Sequence, residues 1–344
     1  MAQPPHDGNA PLPLVRSNAL ARPNTMARPA LPRPHAWALT LGLLASAFAC
    51  SGGDDSDGDS DGDLAADTGG VADFSDDDLS QDLGGGTSTP KPWALPEGFT
   101  VGTFGGYRLG PVLGDQIDPD DLVPPGDDGE GCGTTIVGVI RDMNADHPDF
   151  EDLCCGLQTG IVEELLGEDR KPVYAPNGET ALTSGAADFD EWYRNVAGTN
   201  SPFLLYLSLQ PNAGVFTFHS EAFFPLDGEG FGDQLSAGHN FHFTTEIHTR
   251  FVYRGGETFR FVGDDDVWVF MNDHLVIDLG GVHGAETQEV VLDDVADELG
   301  LVIDGVYPLD LFHAERHTSE SNFRIDMTLE LVDCGTVIDV PVTN

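Results

Sequence analysis

The chain has 344 residues, 59 of them acidic against 15 basic, and a net charge of −44. That imbalance repels nucleic acid and anionic lipid headgroups, which excludes DNA or RNA binding and fits extracytoplasmic life or cation binding. Its 42 glycines and 20 phenylalanines suit a β-rich fold with many turns.

Residues 1–49 differ from the rest. They carry Arg16, Arg22, Arg28 and Arg33 against one acidic residue, Asp7. An apolar run of 14 residues, Ala36 to Ala49, then leads into Cys50. That is too short to cross a hydrocarbon core of roughly 30 Å and is the length of a signal-peptide core. Basic start, apolar core, small residues and Cys resemble a bacterial lipoprotein signal, with Cys50 as the lipidated residue after cleavage. Ala47-Phe48-Ala49-Cys50 departs from that pattern in lacking Leu three residues before the Cys. Ordinary secretory cleavage, with Cys50 incidental, is the alternative, and Met26 offers a second start. Either route predicts export, as an outer-membrane or cell-surface lipoprotein or as a secreted protein.

Residues 50–95 read as a tether. Between Ser51 and Pro90 lie twelve Asp and no basic residue. DSDGDSDGD is similar to a calcium loop, but counting from Asp57 the twelfth position is Thr68, not the Glu an EF-hand needs. Like charges with Gly and Ser bury too little apolar surface to fold, which predicts a self-repelling, disordered spacer. Residues 96–131 are rich in Pro and Gly and read as an irregular approach to the domain.

The ordered domain is expected over residues 132–336, with 337–344 as a tail. TTIVGVIRDM opens it as a strand. Helices are expected over Ile161–Leu166 and Asp188–Val196, the second capped by Asp188. Then FLLYLSLQ, GVFTFHS, FHFTTEIHTRFVY, TFRFV, VWVFM, HLVIDL, QEVVLDD, YPLDLFHAE and NFRIDMTLELV follow as strands, separated by Gly, Asn and Asp turns. Such even spacing predicts an all-β antiparallel sandwich or barrel with one or two short helices. Cys132, Cys154, Cys155 and Cys334 make an even number in an exported domain and are expected in disulfides. Because a bond between neighbours is strained, each loop cysteine is expected to reach one of the terminal two, in either pairing. A zinc site is the weaker reading, since adjacent cysteines lack the usual ligand gap.

The most informative stretch is Phe259–His283, FRFVGDDDVWVFMNDHLVIDLGGVH. Alternation puts Val267, Val269 and Met271 on one face of the middle strand and Trp268 and Phe270 on the other. Both faces are apolar, so the strand should be covered twice. Asp264, Asp265 and Asp266 stand together at its mouth. Turns favour Asp, but three adjacent carboxylates repel one another and call for a cation or a set of donors. Calcium is the natural candidate, since it takes several hard oxygen ligands and tolerates irregular loops.

The segments GVIRDMNADHPDFE, FDEWYRNVAGTN, FFPLDGEGFG, HNFHFTTEIHTRFVY, the stretch above and YPLDLFHAERHTSESNFRIDM together resemble the fibro-slime domain, from Val137 to about Leu331. Fibro-slime domains in turn are similar to the PA14 domain, a β-sandwich or barrel found in adhesins, glycosidases and toxins. The resemblance implies an all-β, PA14-like fold. It also implies that Asp264 and Asp265, through a cis peptide, bind Ca2+, and that the ion holds vicinal sugar hydroxyls of a glycan or extracellular matrix ligand. Asn322 is the candidate third ligand. Asp266 stands where PA14 members commonly have Gly.

Asp266, Asn272, Glu315 and Arg316 are further candidates for ligand contact, Glu315 and Arg316 because PA14-like barrels bring such turns to one end. Against this, Arg316 serves equally well to neutralise nearby carboxylates. His239, His242 and His248 in HNFHFTTEIHTRF suggest a metal site, but His242, Thr244, Glu246, His248 and Arg250 share one face and read as the polar side of a half-buried strand. No catalytic motif appears. A glycosidase needs only two carboxylates about 5–10 Å apart and stays as the enzyme alternative, although an adjacent Asp triplet is too crowded for that geometry. A purely structural module, with a structural calcium or no ligand, is the third reading. The expected protein is thus a non-enzymatic surface binding module.

Overall fold

The computed structural model describes residues 93–113, 134–151, 153–234 and 237–337. The leader, Cys50, the acidic tether and Cys132 lie outside the described residues. The strands in chain order are β1 (Thr100–Val101), β2 (Gly106–Val112), β3 (Thr135–Met143), β4 (Gly156–Leu157), β5 (Asn200–Ser208), β6 (Gln210–Asn212), β7 (Val215–Ser220) and β8 (Phe243–Val252). They continue with β9 (Thr258–Gly263), β10 (Asp266–Met271), β11 (His274–Leu279), β12 (Gly281–Val282), β13 (Glu286–Val291), β14 (Val306–Glu315), β15 (Phe323–Met327) and β16 (Glu330–Asp333). Two helices, α1 (Ala186–Phe189) and α2 (Leu292–Leu299), interrupt them. The fold is all-β with two short helices, as expected.

A nine-stranded sheet runs β1-β2-β5-β3-β8-β14-β10-β11, with β16 also paired to β8, and a five-stranded sheet runs β13-β9-β15-β7-β6. The pairings are antiparallel. Alternating residues of both sheets share one core: Phe243, Ile247 and Phe251 from β8 and Val267, Val269 and Met271 from β10 meet Phe259, Phe261, Phe323 and Ile325 of the smaller sheet. This is the sandwich arrangement, with the inward half of each strand apolar.

The outer face of the large sheet is covered as well. Trp268, Phe270 and Phe312 pack there against Phe150, Phe189, Trp192 and Tyr193 of the segment between β3 and β5. So β10 is buried on both faces, as its two apolar stripes predict. That covering segment also buries the polar face of β8, which alternation alone had placed in solvent. Glu246 bonds Arg141 Nη1 at 2.7 Å, His248 Nε2 at 2.5 Å, and Lys171 Nζ, all of them buried.

Three local expectations are corrected. Ile161–Leu166 is not helical: Val162 bridges Tyr174 and Leu165 bridges His274, so tertiary pairing overrides local propensity. The Asp188–Val196 helix shrinks to α1, whose N-cap is Gly185 rather than Asp188. The 96–131 segment, read as irregular, supplies β1 and β2, and Tyr107 and Leu109 of β2 pack on the shared core. Helix α2 was not anticipated. Leu292, Val295, Ala296 and Leu299 recur at helical spacing, but the preceding alternation in QEVVLDD reads as strand.

Candidate functional site

The acidic turn is a corner between sheets. Strand β9 ends at Gly263 in the five-stranded sheet and β10 begins at Asp266 in the nine-stranded one. Asp264 and Asp265 make the crossing, and the peptide bond between them is cis, as the resemblance implied. Neighbouring strand ends meet at the corner, because Gly263 pairs with Phe323 of β15 and Asp266 pairs with Ala314 of β14. The turns following β14, preceding β15 and around β12 therefore converge on three carboxylates.

Each carboxylate faces a different segment. Asp264 accepts bonds from Asn322 N at 2.6 Å and Asn322 Nδ2 at 2.7 Å. Asp265 accepts from His283 N at 3.1 Å and from Arg316 N and His317 N, both at 3.0 Å. Asp266 accepts from Gly281 N at 2.6 Å and from Arg316 Nε, also at 2.6 Å. Gly281 has φ 121°, and a Cβ there would strike Gly156 O, so only glycine brings this N–H to Asp266.

Glu315 completes the cluster in an unusual way. It is fully buried, and neither side-chain oxygen has a hydrogen-bond donor; the Ser321 hydroxyl beside it donates to Phe223 O instead. Four buried carboxylates thus crowd one corner, where the buried Arg316 pairs with Asp266 and acts on Asp265. Burial pushes Asp264, Asp265 and Asp266 up from the usual carboxylate range, against the pull of Asn322 and of Arg316. Burial, then the charges of Asp265 and Asp264, push Glu315 well above it.

The donor set is all oxygen, as calcium requires, and the orphaned Glu315 oxygens and the uncompensated charge fit a divalent cation. The side chains are nevertheless turned toward protein N–H groups. Among the described residues, three Cys, His or acidic ligands lie within 4.8 Å of one another only at Cys154, Cys155 and His317. There the two cysteines are bonded to each other, which corrects the expectation that each reaches a terminal cysteine. A cis peptide brings their Cα atoms to 3.1 Å. Cys334 is disulfide-bonded too.

Of the predicted site residues, Asp264, Asp265, Asp266, Glu315, Arg316 and Asn322 come together. Asn272 does not. It lies in the turn at the far end of β10, where its amide donates to Leu299 O at 2.7 Å. Arg316 is at the corner but fully buried: it bonds Asp149 O and Leu182 O at 3.1 and 2.7 Å and lies 4.8 Å from the Trp192 ring centre.

Beside Asn322 opens a cleft of about 710 Å³. One wall is the turn Thr318–Asn322. The other holds Phe224, His239 and Phe241, none of which the sequence alone places at a cleft; His239 is weighed there only as a metal ligand and set aside. Both wall segments stood in the motifs FFPLDGEGFG and HNFHFTTEIH, but nothing local to either signals that a 15-residue excursion stacks Phe224 on His239.

Residues 232–342 match the PA14 domain family. The chain is 40% identical over 200 residues to protein psiQ of Dictyostelium discoideum, covering 52% of this chain and 20% of that protein. It is 41% identical over 213 residues to protein psiD of the same organism, covering 57% and 42%. The chain therefore spans well under half of the curated relatives it matches. Among solved structures it is similar to the PA14 domain of MpAFP antifreeze protein, at 12% identity and TM-score 0.27, over 67% of this chain and all of that one. It is similar also to the PA14 sugar-binding domain from an RTX adhesin, at 16% identity and TM-score 0.21, over 28% and 54%. The chain is thus an all-β antiparallel sandwich of which residues 232–342 match the PA14 domain family.

Proposed function

We propose that the chain is an exported, non-enzymatic binding module that recognises carbohydrate at the acidic corner, with Ca2+ held by Asp264, Asp265 and Asn322. The PA14 match supports a carbohydrate-binding surface module at the level of the family. Calcium rests on one observation above all: Asp264, Asp265 and Asp266 crowd one buried corner with Glu315, which has no donor, while Arg316 pairs directly with Asp266. A bound divalent cation supplies the missing positive charge and a Lewis-acidic centre for sugar hydroxyls. Asp266 and Arg316 then act as the floor that holds the corner, not as ligand contacts.

A structural reading is favoured by the hydrogen bonds themselves. Each Asp clamps a separate turn through backbone N–H groups, and that clamp works without a ligand. Export and the fibro-slime assignment belong to this proposal. Lipid anchoring at Cys50 does as well, since that residue is outside the described ones. Among the described residues no helix is long and apolar enough to cross a membrane.

Calcium titration of the full chain, by calorimetry and thermal melting, tests the reading beside an Asp264→Asn, Asp265→Asn double variant. At 100 times its dissociation constant the ion stabilises the fold by about 2.7 kcal/mol, an effect the variant is expected to lose. Wild type that neither binds nor shifts leaves the structural clamp as the corner's role.

A further inference from the structure

The cleft beside the corner carries more than its volume. Phe224 and His239 stack with centroids 4.1 Å apart and planes inclined by 10°, and Phe241 meets Phe224 edge-on at 4.8 Å. The imidazole is also tied at the rim: its Nδ1 is 2.6 Å from Asp227 Oδ2, while Asp227 Oδ1 accepts Asn240 N at 3.0 Å. Asn240 is in turn anchored by its amide to the buried Asp142 at 2.8 Å. The His239 side chain nonetheless keeps 46% of its surface exposed. An exposed ring held in place by stacking, a carboxylate and a buried anchor is a preorganised flat platform.

The opposite wall is chemically different. Thr318, Ser319 and Asn322 offer hydroxyls and an amide, and Glu320 and Glu221 add negative charge at the mouth. Among the described residues no Lys or Arg lines the cleft. The combination selects a ligand with one apolar C–H face and several hydroxyls, and it disfavours anionic groups.

We infer that the cleft takes an uncharged pyranose, whose C–H face lies on the outer face of His239, backed by the stacked Phe224, while its hydroxyls meet the Thr318–Asn322 turn. Sulfated and uronate-bearing glycans are rejected by Glu221 and Glu320. This rests on the carbohydrate reading above and adds the sugar class and the platform that sets it. Asn322 joins the two, since its amide bonds Asp264 while it lines the cleft.

The test is an array of uncharged, sulfated and uronate-containing oligosaccharides probed with the full chain, His239→Ala and His239→Phe, each also titrated with calcium. Uncharged glycans should bind wild type, His239→Ala should weaken them about tenfold, and His239→Phe should restore them, with calcium isotherms the same in all three. The inference is overturned by binding confined to anionic glycans, by binding indifferent to His239→Ala, or by no glycan bound while calcium still binds. His239-dependent glycan binding in a wild type that takes no calcium upholds the platform and removes the metal reading instead.

Discussion

Asp142 illustrates how one residue can hold the wall of a cleft. It is the penultimate residue of β3, a strand buried along its whole length, is 1% exposed, and accepts bonds from Asn240 Nδ2 and Phe231 N. Gly230 allows that approach, because its φ is +54° and a Cβ would strike the Asp142 carboxylate. Burial pushes the Asp142 carboxyl up to about 6, against the opposing bonds from Asn240 and Phe231. The folded state therefore binds this proton more tightly than the unfolded chain, whose Asp titrates near 3.9. Stability from this group is greatest below about pH 4 and falls as pH rises toward 6. The full difference is up to about 3 kcal/mol at about 1.4 kcal/mol per pKa unit. Asp142→Asn removes the titration, so urea midpoints of wild type should fall relative to the variant between pH 4 and 6. Parallel curves across that range would show that the carboxyl is not raised.

At the scale of elements, strand β8 separates what sequence can and cannot convey. Its alternation correctly sends Phe243, Ile247 and Phe251 to the core. The other face carries Thr244, Glu246 and His248, and polarity alone sends those to water. They are buried because a segment from far along the chain lies over them and brings Lys171 and Arg170. Arg141 comes from the neighbouring strand β3. Burial would raise Glu246 and lower His248, yet Arg141 and His248 hold Glu246 below its usual range, and Asp310 and Glu246 hold His248 above its own. No local pattern announces such a long-range ion network, whereas the acidic corner was visible because its three carboxylates are consecutive. Removing one partner of a buried network leaves the others desolvated without compensation. Glu246→Gln should cost about 3–5 kcal/mol, read from the denaturation midpoint at pH 7. A loss under about 1 kcal/mol would mean that water reaches the cluster and that the covering segment is not a true third layer.

For the whole molecule, the succession of the longer strands from β3 onward and the composition were both legible, and the composition sets how the chain responds to salt. A net charge of −44 on 344 residues repels itself more strongly in the compact state than when unfolded. Screening should relieve that repulsion, since the Debye length falls from about 30 Å at 0.01 M to about 3 Å at 1 M ionic strength. The buried pairs around Glu246 and Arg316 are dry and lose little over the same range. Sodium chloride should therefore raise the melting temperature, by about 2–4 °C for each 1 kcal/mol of repulsion removed. Calcium added at fixed high ionic strength isolates site binding, because diffuse screening is already saturated. A melting temperature that falls with salt would mean that favourable ion pairs, not like-charge repulsion, dominate the electrostatics of the fold. An additional rise with calcium in 1 M salt, absent from the Asp264→Asn, Asp265→Asn variant, would separate the acidic corner from the general acidity of the chain.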